Sequence, residues 1–149
     1  METFRHRTLE LLQASGNRAD KAKALAELIR AHRGYHWVGL YDVSSTHISA
    51  IAWTGNEAPA FPSFPVTKGL NGAAVAEKKP VIVQDVAQDS RYLVTFGATR
   101  GEAIFPVFTP DGSRVIGTID VESDRVNAFQ AEDEAFLQEC SALLRPLWN

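Results

Sequence analysis

Residues 117–123 read GTIDVES. Side chains alternate across a strand with a period of two. Ile119 and Val121 therefore share one face, and Asp120 and Glu122 share the other. Acids are poor strand formers. Two of them late in an apolar strand mark a face that is wet, or one that walls a pocket. Taken alone, the pair reads first as solvated acids at a strand end. The neighbouring sequence shifts that reading. Glu102–Thr109 and Arg114–Glu122 flank Pro110-Asp111-Gly112-Ser113, and Pro-Asp-Gly is a tight-turn sequence. The stretch is then the second arm of a hairpin whose first arm begins at Glu102. With Glu102 on the partner strand, a pocket wall stands beside a wet face as a reading of three acids rather than two.

The same period governs the chain from Trp37. Trp37–Val43 and His47–Trp53 are β-rich runs separated by Ser44-Ser45-Thr46, a first hairpin. Residues 54–65 carry Gly55, Pro59, Pro62 and Pro65 with Phe61 and Phe64 between them. Prolines forbid a central strand there, so this is expected to be a loop, long enough to cover something. GLNGAAVAEK, residues 69–78, predicts a short helix that Pro80 stops, and Val81–Val83 a short strand. Residues 84–101 form a second long loop holding Arg91, Tyr92, Phe96 and Arg100.

The two ends of the chain have a helical period instead. Phe4, Thr8, Leu11 and Leu12 share a face, and Ser15-Gly16-Asn17 breaks that helix. Asn17 suits the N-cap of a second helix, in which Ala22, Leu25, Leu28 and Ile29 form one stripe and Gly34 supplies the C-terminal cap. Glu132–Leu147 is amphipathic, with Phe136, Cys140, Leu143 and Leu147 in register, and Pro146 frays or kinks its last turn. Hairpins imply an antiparallel sheet, and helices at both ends must pack on it, an α+β architecture.

At 149 residues the simplest organisation is one domain, with roughly 70% of the unfolded surface buried. The formal net charge is −3, with both signs interspersed and no basic stripe, so nucleic acid is not expected as a partner. No apolar run reaches the roughly 20 residues of a membrane span, and METFRHRTLE lacks the apolar core of a signal peptide. A cytoplasmic location follows as the expectation. The single cysteine, Cys140, cannot form an internal disulfide or a thiolate zinc site. The His32-x3-His36 spacing has the look of a metal pair, but Gly34 between them ends the helix, and no metal is expected. No Ser-His-Asp order is defensible. The Gly-x-x-Gly of residues 69–72 lacks the Lys-Ser/Thr that a phosphate loop needs.

The chain resembles GAF domains over about residues 20–147, on WVGLY (37–41), GLNG (69–72), QDV (84–86), RGEAIFPV (100–107), GTIDVES (117–123) and FQAEDEAFL (129–137). Within that family it is most similar to the free methionine-(R)-sulfoxide reductases, which are single-domain GAF proteins. The resemblance implies one domain over residues 1–149: N-terminal helices in 1–34, sheet, pocket loops and short helix in 35–123, and a C-terminal helix in 130–147. It implies a central antiparallel sheet with the terminal helices on one face and a loop-covered ligand pocket on the other. In the reductases a carboxylate cluster holds the amino acid and its sulfoxide, and motif match carries that cluster to Glu102, Asp120 and Glu122.

The reductases also use cysteines in the lid loop, in a Gly-x-Cys-Gly stretch and in the loop before the Glu strand. The second falls on Asn71 here, and neither loop holds a cysteine. Thiolate attack on sulfur and resolution by a second thiol have no residues to perform them. The cyclic-nucleotide motif of phosphodiesterase GAF domains is met at Phe129, Asp133 and Glu134, but its Asn-Lys pair would fall near Ser123-Asp124. The resemblance thus implies a stand-alone, sensory or regulatory GAF domain that binds a small polar or cationic ligand without transforming it and without a cofactor. Glu102, Asp120 and Glu122 would engage the ligand, Asn71 and Arg100 would add polar contacts, and Trp53, Phe61, Phe64 and Tyr92 would exclude water. The alternatives are a reductase-like enzyme and a dimeric interaction module with a vestigial pocket. GAF domains often dimerise through their terminal helices, and the apolar end at Leu147 and Trp148 fits a homodimer contact, although core packing is the first use of that stripe.

Overall fold

Capping fixes the N-terminal helices in the computed structural model, which describes residues 1–94 and 96–148. Helix α1 spans Glu2–Gln13 and buries Phe4 and Thr8. Helix α2 spans Arg18–Arg33; the Asn17 side chain accepts the Asp20 N–H at 2.8 Å, and Gly34 closes it in the left-handed conformation. Its stripe of Ala22, Leu25, Ala26 and Ile29 is buried.

Strands β1 (Trp37–Val43), β2 (His47–Thr54), β3 (Ser63–Pro65), β4 (Val81–Val83), β5 (Gly101–Phe108) and β6 (Val115–Ser123) form one six-stranded sheet in the order β3-β2-β1-β6-β5-β4. Every pairing is antiparallel. Helix α3 (Gly69–Glu77) follows β3, and helix α4 (Ala131–Leu143) follows β6.

Three sequence expectations are corrected. The proline-rich stretch 54–65 is not loop throughout, because Ser63–Pro65 pairs with β2. Prolines bar a central strand, but an edge strand needs only one side of its backbone. Pro80 does not end α3; Lys78 does so, two residues earlier, in the left-handed conformation. Pro146 does not sit inside α4, which stops at Leu143 and gives way to a 3-10 turn over Arg145–Trp148.

Alternation divides the sheet into two faces. Val38, Leu40, Ala103, Phe105, Val107, Ile119 and Val121 pack with Leu25, Ile29, Phe136, Leu137 and Leu144 in the main core, under α1, α2 and α4. A register shift between Leu40 and Tyr41 leaves Ile51 without a partner on β1, and Ile51 and Ala52 both lie against this core. The other face carries a cluster of Leu70, Ala74, Val81, Val83 and Ile104 under α3, and an aromatic one of Trp37, Tyr41, Ile48, Phe64 and Phe96.

The apolar end of the chain is used on its own sheet. Leu147 is buried. The Trp148 indole lies over Gly117, where a Cβ would come within 2.1 Å of it, and donates to the Tyr41 carbonyl at 3.0 Å. His32 stacks on Phe136 at 4.5 Å, which accounts for this histidine by packing. Phe129 and Asp133 also serve the helix side, Phe129 in the main core and Asp133 in the capping box of α4.

Candidate functional site: a buried carboxyl cluster

The hairpin register brings the three acids together. Glu102 on β5 pairs directly with Glu122 on β6, and Asp120 lies opposite Ile104. On the other side of β6, Trp37 pairs with Glu122, Gly39 with Asp120 and Tyr41 with Thr118. Gly39 has a steric role here: a Cβ would sit 2.4 Å from the Trp37 ring and 2.9 Å from the Tyr41 ring. Its absence lets both rings fold over the strand beside the acids. Glu102, Asp120 and Glu122 are 5%, 3% and 0% exposed, and one carboxylate oxygen from each lies within 4.8 Å of the others.

Helix α3 delivers the amide that meets them. Asn71, in its first turn, donates to Asp120 Oδ2 at 3.1 Å and accepts from the Thr118 hydroxyl at 2.6 Å. The Thr99 hydroxyl donates to Glu122 Oε1 at 2.8 Å. No N–H or hydroxyl of the described residues reaches Asp120 Oδ1 or Glu122 Oε2.

Burial sets the electrostatics. It pushes the Glu122 carboxyl up to about 9, with the Asp120 charge adding to it and the Thr99 hydrogen bond opposing it. Burial also raises Asp120, to about 6, against hydrogen bonds with Glu102 and Asn71 that pull it down. Glu102 is held well above the carboxylate range by burial and then by the charges of Asp120 and Glu122. Tyr41 is raised by burial and by the same acids. Ligand-free at neutral pH, the cluster thus holds protons that a cation would displace.

Tyr41, Phe61, Phe64, Gly69, Leu70, Asn71, Leu93, Glu102 and Asp120 enclose a cavity of about 10 Å3, on the order of one water molecule. None of these residues is basic. Of the residues expected at the site, Glu102, Asp120, Asn71, Phe61 and Phe64 line the cavity, and Glu122 completes the cluster. Phe61 is 45% exposed, at the rim. Trp53 and Tyr92 are not among the cavity-lining residues; Trp53 packs against the aromatic cluster and Tyr92 against the cluster that includes Leu70 and Ala74 of α3.

Arg100 is not brought to the cavity. It is exposed, and its guanidinium donates to the Gly97 and Thr99 carbonyls, while its backbone, bonded to Ser123 and Val86, continues the ladder just ahead of β5. Sequence reasoning missed Thr118 and Thr99. Thr118 had a signal, lying two residues before Asp120 on the same strand face. Thr99 had none, since loop residues carry no period. Cys140 lies across the sheet in the main core, its thiol raised by burial.

A sheet with helices on one face and a small acidic cavity on the other defines a class of small ligand-pocket domains. Comparison places the chain within it: the GAF domain profile matches residues 22–145, and the chain belongs to the GAF domain family. It is 25% identical over 135 residues to GAF domain-containing protein A of Dictyostelium discoideum, covering 90% of this chain and 83% of that protein. The structure is similar to that of the type II free methionine-R-sulfoxide reductase from Thermoplasma acidophilum, with a TM-score of 0.82 and 30% identity over 87% of this chain and 91% of that one. It shares its fold with the Neisseria meningitidis free methionine-R-sulfoxide reductase in complex with its substrate, with a TM-score of 0.86 and 23% identity over 99% of this chain and 87% of that one.

Proposed function

We propose that this chain is a sensory or regulatory GAF domain whose pocket binds a small polar or cationic ligand and does not transform it. The observation that carries this reading is the cluster of Glu102, Asp120 and Glu122, buried together with no basic side chain among the cavity-lining residues. Charge-assisted hydrogen bonds to carboxylates are strong, so a cation that meets these acids gains what the ligand-free protein lacks. Glu102, Asp120 and Glu122 hold the ligand's positive or donor end, Asn71 orients Asp120, and Phe61 and Phe64 close over it, with Trp53 and Tyr92 as supports. The absence of a thiol on this face supports binding without thiol chemistry.

The test is calorimetric titration with amines, free amino acids, methionine sulfoxide and cyclic nucleotides. Binding by at least one cationic member is expected, weakened tenfold or more in Glu122→Gln. Silence across the panel, or an unchanged affinity in the variant, overturns the assignment.

The likeness to the Thermoplasma reductase favours a second reading, a reductase-like enzyme. That reading requires turnover of free methionine sulfoxide with thioredoxin or dithiothreitol, and a Cys140→Ser variant of equal rate would exclude a thiol route. No described helix is long and apolar enough to cross a membrane. A cytoplasmic location and a homodimer through the terminal helices complete the proposal.

A further inference from the structure

We propose that the outer side of helix α3 docks an acidic amphipathic helix from a partner protein. The proposal goes beyond the ligand pocket and does not depend on it. It starts from the sequence of α3, GLNGAAVAE, whose one charge is Glu77 at its last residue. A surface helix ordinarily turns a polar stripe to water, and a helix that is apolar all round is covered on every side. Helix α3 is covered on one side. Leu70, Asn71, Gly72 and Ala74 are buried, whereas Ala73 and Val75 are half-buried and Ala76 is exposed.

Two grooves meet on the uncovered side. One, of about 560 Å3, is lined by Val66, Gly72, Ala73, Val75 and Ala76 and by residues 90–91. The other, of about 440 Å3, is lined by Val43, Val66, Val75, Val115 and Ile116. Val66 and Val75 belong to both, so the two form one apolar trough across α3 and the β1–β2 and β5–β6 turns. Val43, Val66 and Val75 pack from behind on the aromatic cluster, which holds this surface in shape. Charge then chooses the occupant. Lys68 and Arg91 line the first groove, Lys78 and Arg114 line the second, and no acid lines either. Arg91 is paired with Asp89 and Glu77. Lys68, Lys78 and Arg114 enter no ion pair among the described residues. Lys78 donates to the Ser113 carbonyl at 3.0 Å, which leaves its charge uncompensated. Three such cations beside an apolar trough, on a chain of net charge −3, are the complement of apolar side chains flanked by carboxylates. A helix suits the trough better than a strand, because the sheet edge beside Val66 is β3, three residues long and closed by Pro65. The nine residues of α3 rise roughly 13 Å, room for two turns of a partner helix with anchors at i, i+3, i+4 and i+7. Leu70 and Asn71 of the same helix line the carboxyl cavity, so a partner seated in the trough touches the helix that faces the pocket.

The experiment selects binders of the full chain from a displayed library of random peptides about 16 residues long, enough for a helix to form. Enriched peptides are measured by calorimetry and by amide chemical-shift mapping. They are expected to carry Leu, Ile or Phe at helical spacing flanked by Asp or Glu, to shift the amides of α3, Val43 and Val66, and to bind more weakly as salt rises. Lys68→Glu combined with Arg114→Glu should weaken binding about tenfold or more, mainly by slowing association. Ala76→Glu, which fills the trough and reverses its charge, should weaken it as much. Arg7→Glu combined with Lys23→Glu, an equal charge change on α1 and α2, should leave the affinity within about twofold, because distant surface charges are screened. All five positions are exposed, and circular dichroism checks the fold of each variant. No enrichment, enrichment of peptides without acids, or an equal loss in the two charge-reversed pairs overturns the proposal. So does a concentration-dependent dimer in ultracentrifugation that Ala76→Glu abolishes, since the occupant would then be a second copy of this chain.

Discussion

Asp133 and Glu122 are buried acids on opposite sides of the sheet, and they differ in what meets them. Burial opposes the charge of Asp133, but the Gln130 N–H, the Tyr35 hydroxyl and the Arg33 guanidinium outweigh it and hold its pKa below the ordinary value. Glu122 has one hydroxyl donor and an acidic neighbour, and its pKa rises. The first pattern ties elements together, since Asp133 joins α4 to the end of α2 and the start of β1. For an acid with a depressed native pKa, the stability it contributes is present above the unfolded value, about 3.9, and is lost as pH falls through the native one. Asp133→Asn is therefore expected to cost about 1–3 kcal/mol at pH 7, through a weakened cap and weaker hydrogen bonds. The gap to wild type should begin to narrow below about pH 4, as the unfolded carboxyl protonates, and narrow further as pH falls through the lower native value. Urea denaturation at pH 7 and pH 3 measures both. An equal gap at the two pH values would show that the charge of Asp133 is not what holds it.

At the scale of elements, β1 decides the shape of the cavity wall. WVGLY places Val38 and Leu40 in the main core and turns Trp37 and Tyr41 to the pocket face. The two rings share the space above Gly39, and Trp37 also pins the lid loop by donating its indole N–H to the Glu57 carbonyl at 3.0 Å. Gly39→Ala should force both rings aside, since a Cβ 2.4 Å from the Trp37 ring cannot be accommodated in place. A loss of about 1–3 kcal/mol is expected, with a changed near-ultraviolet circular dichroism spectrum as the aromatic cluster shifts. A variant as stable as wild type with an unchanged spectrum would contradict this account of the wall. The strands bearing these residues were legible because alternation is a local signal, and the faces of GTIDVES and WVGLY follow from it directly. The edge strand Ser63–Pro65 was not, because its prolines argue against strand locally and only the exposed flank of β2 admits it. The pairing of Glu102 with Glu122 became legible through the Pro-Asp-Gly turn, which fixes the hairpin. Thr99 and the outward turn of Arg100 depend on the path of a long loop, which no local pattern encodes.

For the whole molecule, the closed cavity has a kinetic consequence. A ligand much larger than a water molecule does not fit a space of about 10 Å3 while Phe61 and Phe64 stay in place, so its association must follow a movement of the roof. The roof is the segment between β2 and β3 with Phe64 of β3 beside it, and the segment is held by the Trp37–Glu57 hydrogen bond, by the Ala50 N–H donated to the Pro62 carbonyl and by buried Pro59, while Phe61 is 45% exposed yet touches the cavity. Segments with few buried contacts open at small free-energy cost, whereas the sheet beneath is buried on both faces. Hydrogen exchange should therefore be fast at residues 55–61 in the ligand-free protein and slow there when the pocket is filled by an organic cation. The protection of β5 and β6 should stay nearly constant. Phe61→Ala removes the rim without touching the acids. It should raise the dissociation rate more than the association rate and weaken binding by roughly tenfold, the loss expected from about 1–2 kcal/mol of apolar contact. If Phe61→Ala leaves both the dissociation rate of an organic cation and the exchange at residues 55–61 unchanged, the rim does not close the pocket, and the division between a preformed acidic floor and a movable lid is wrong.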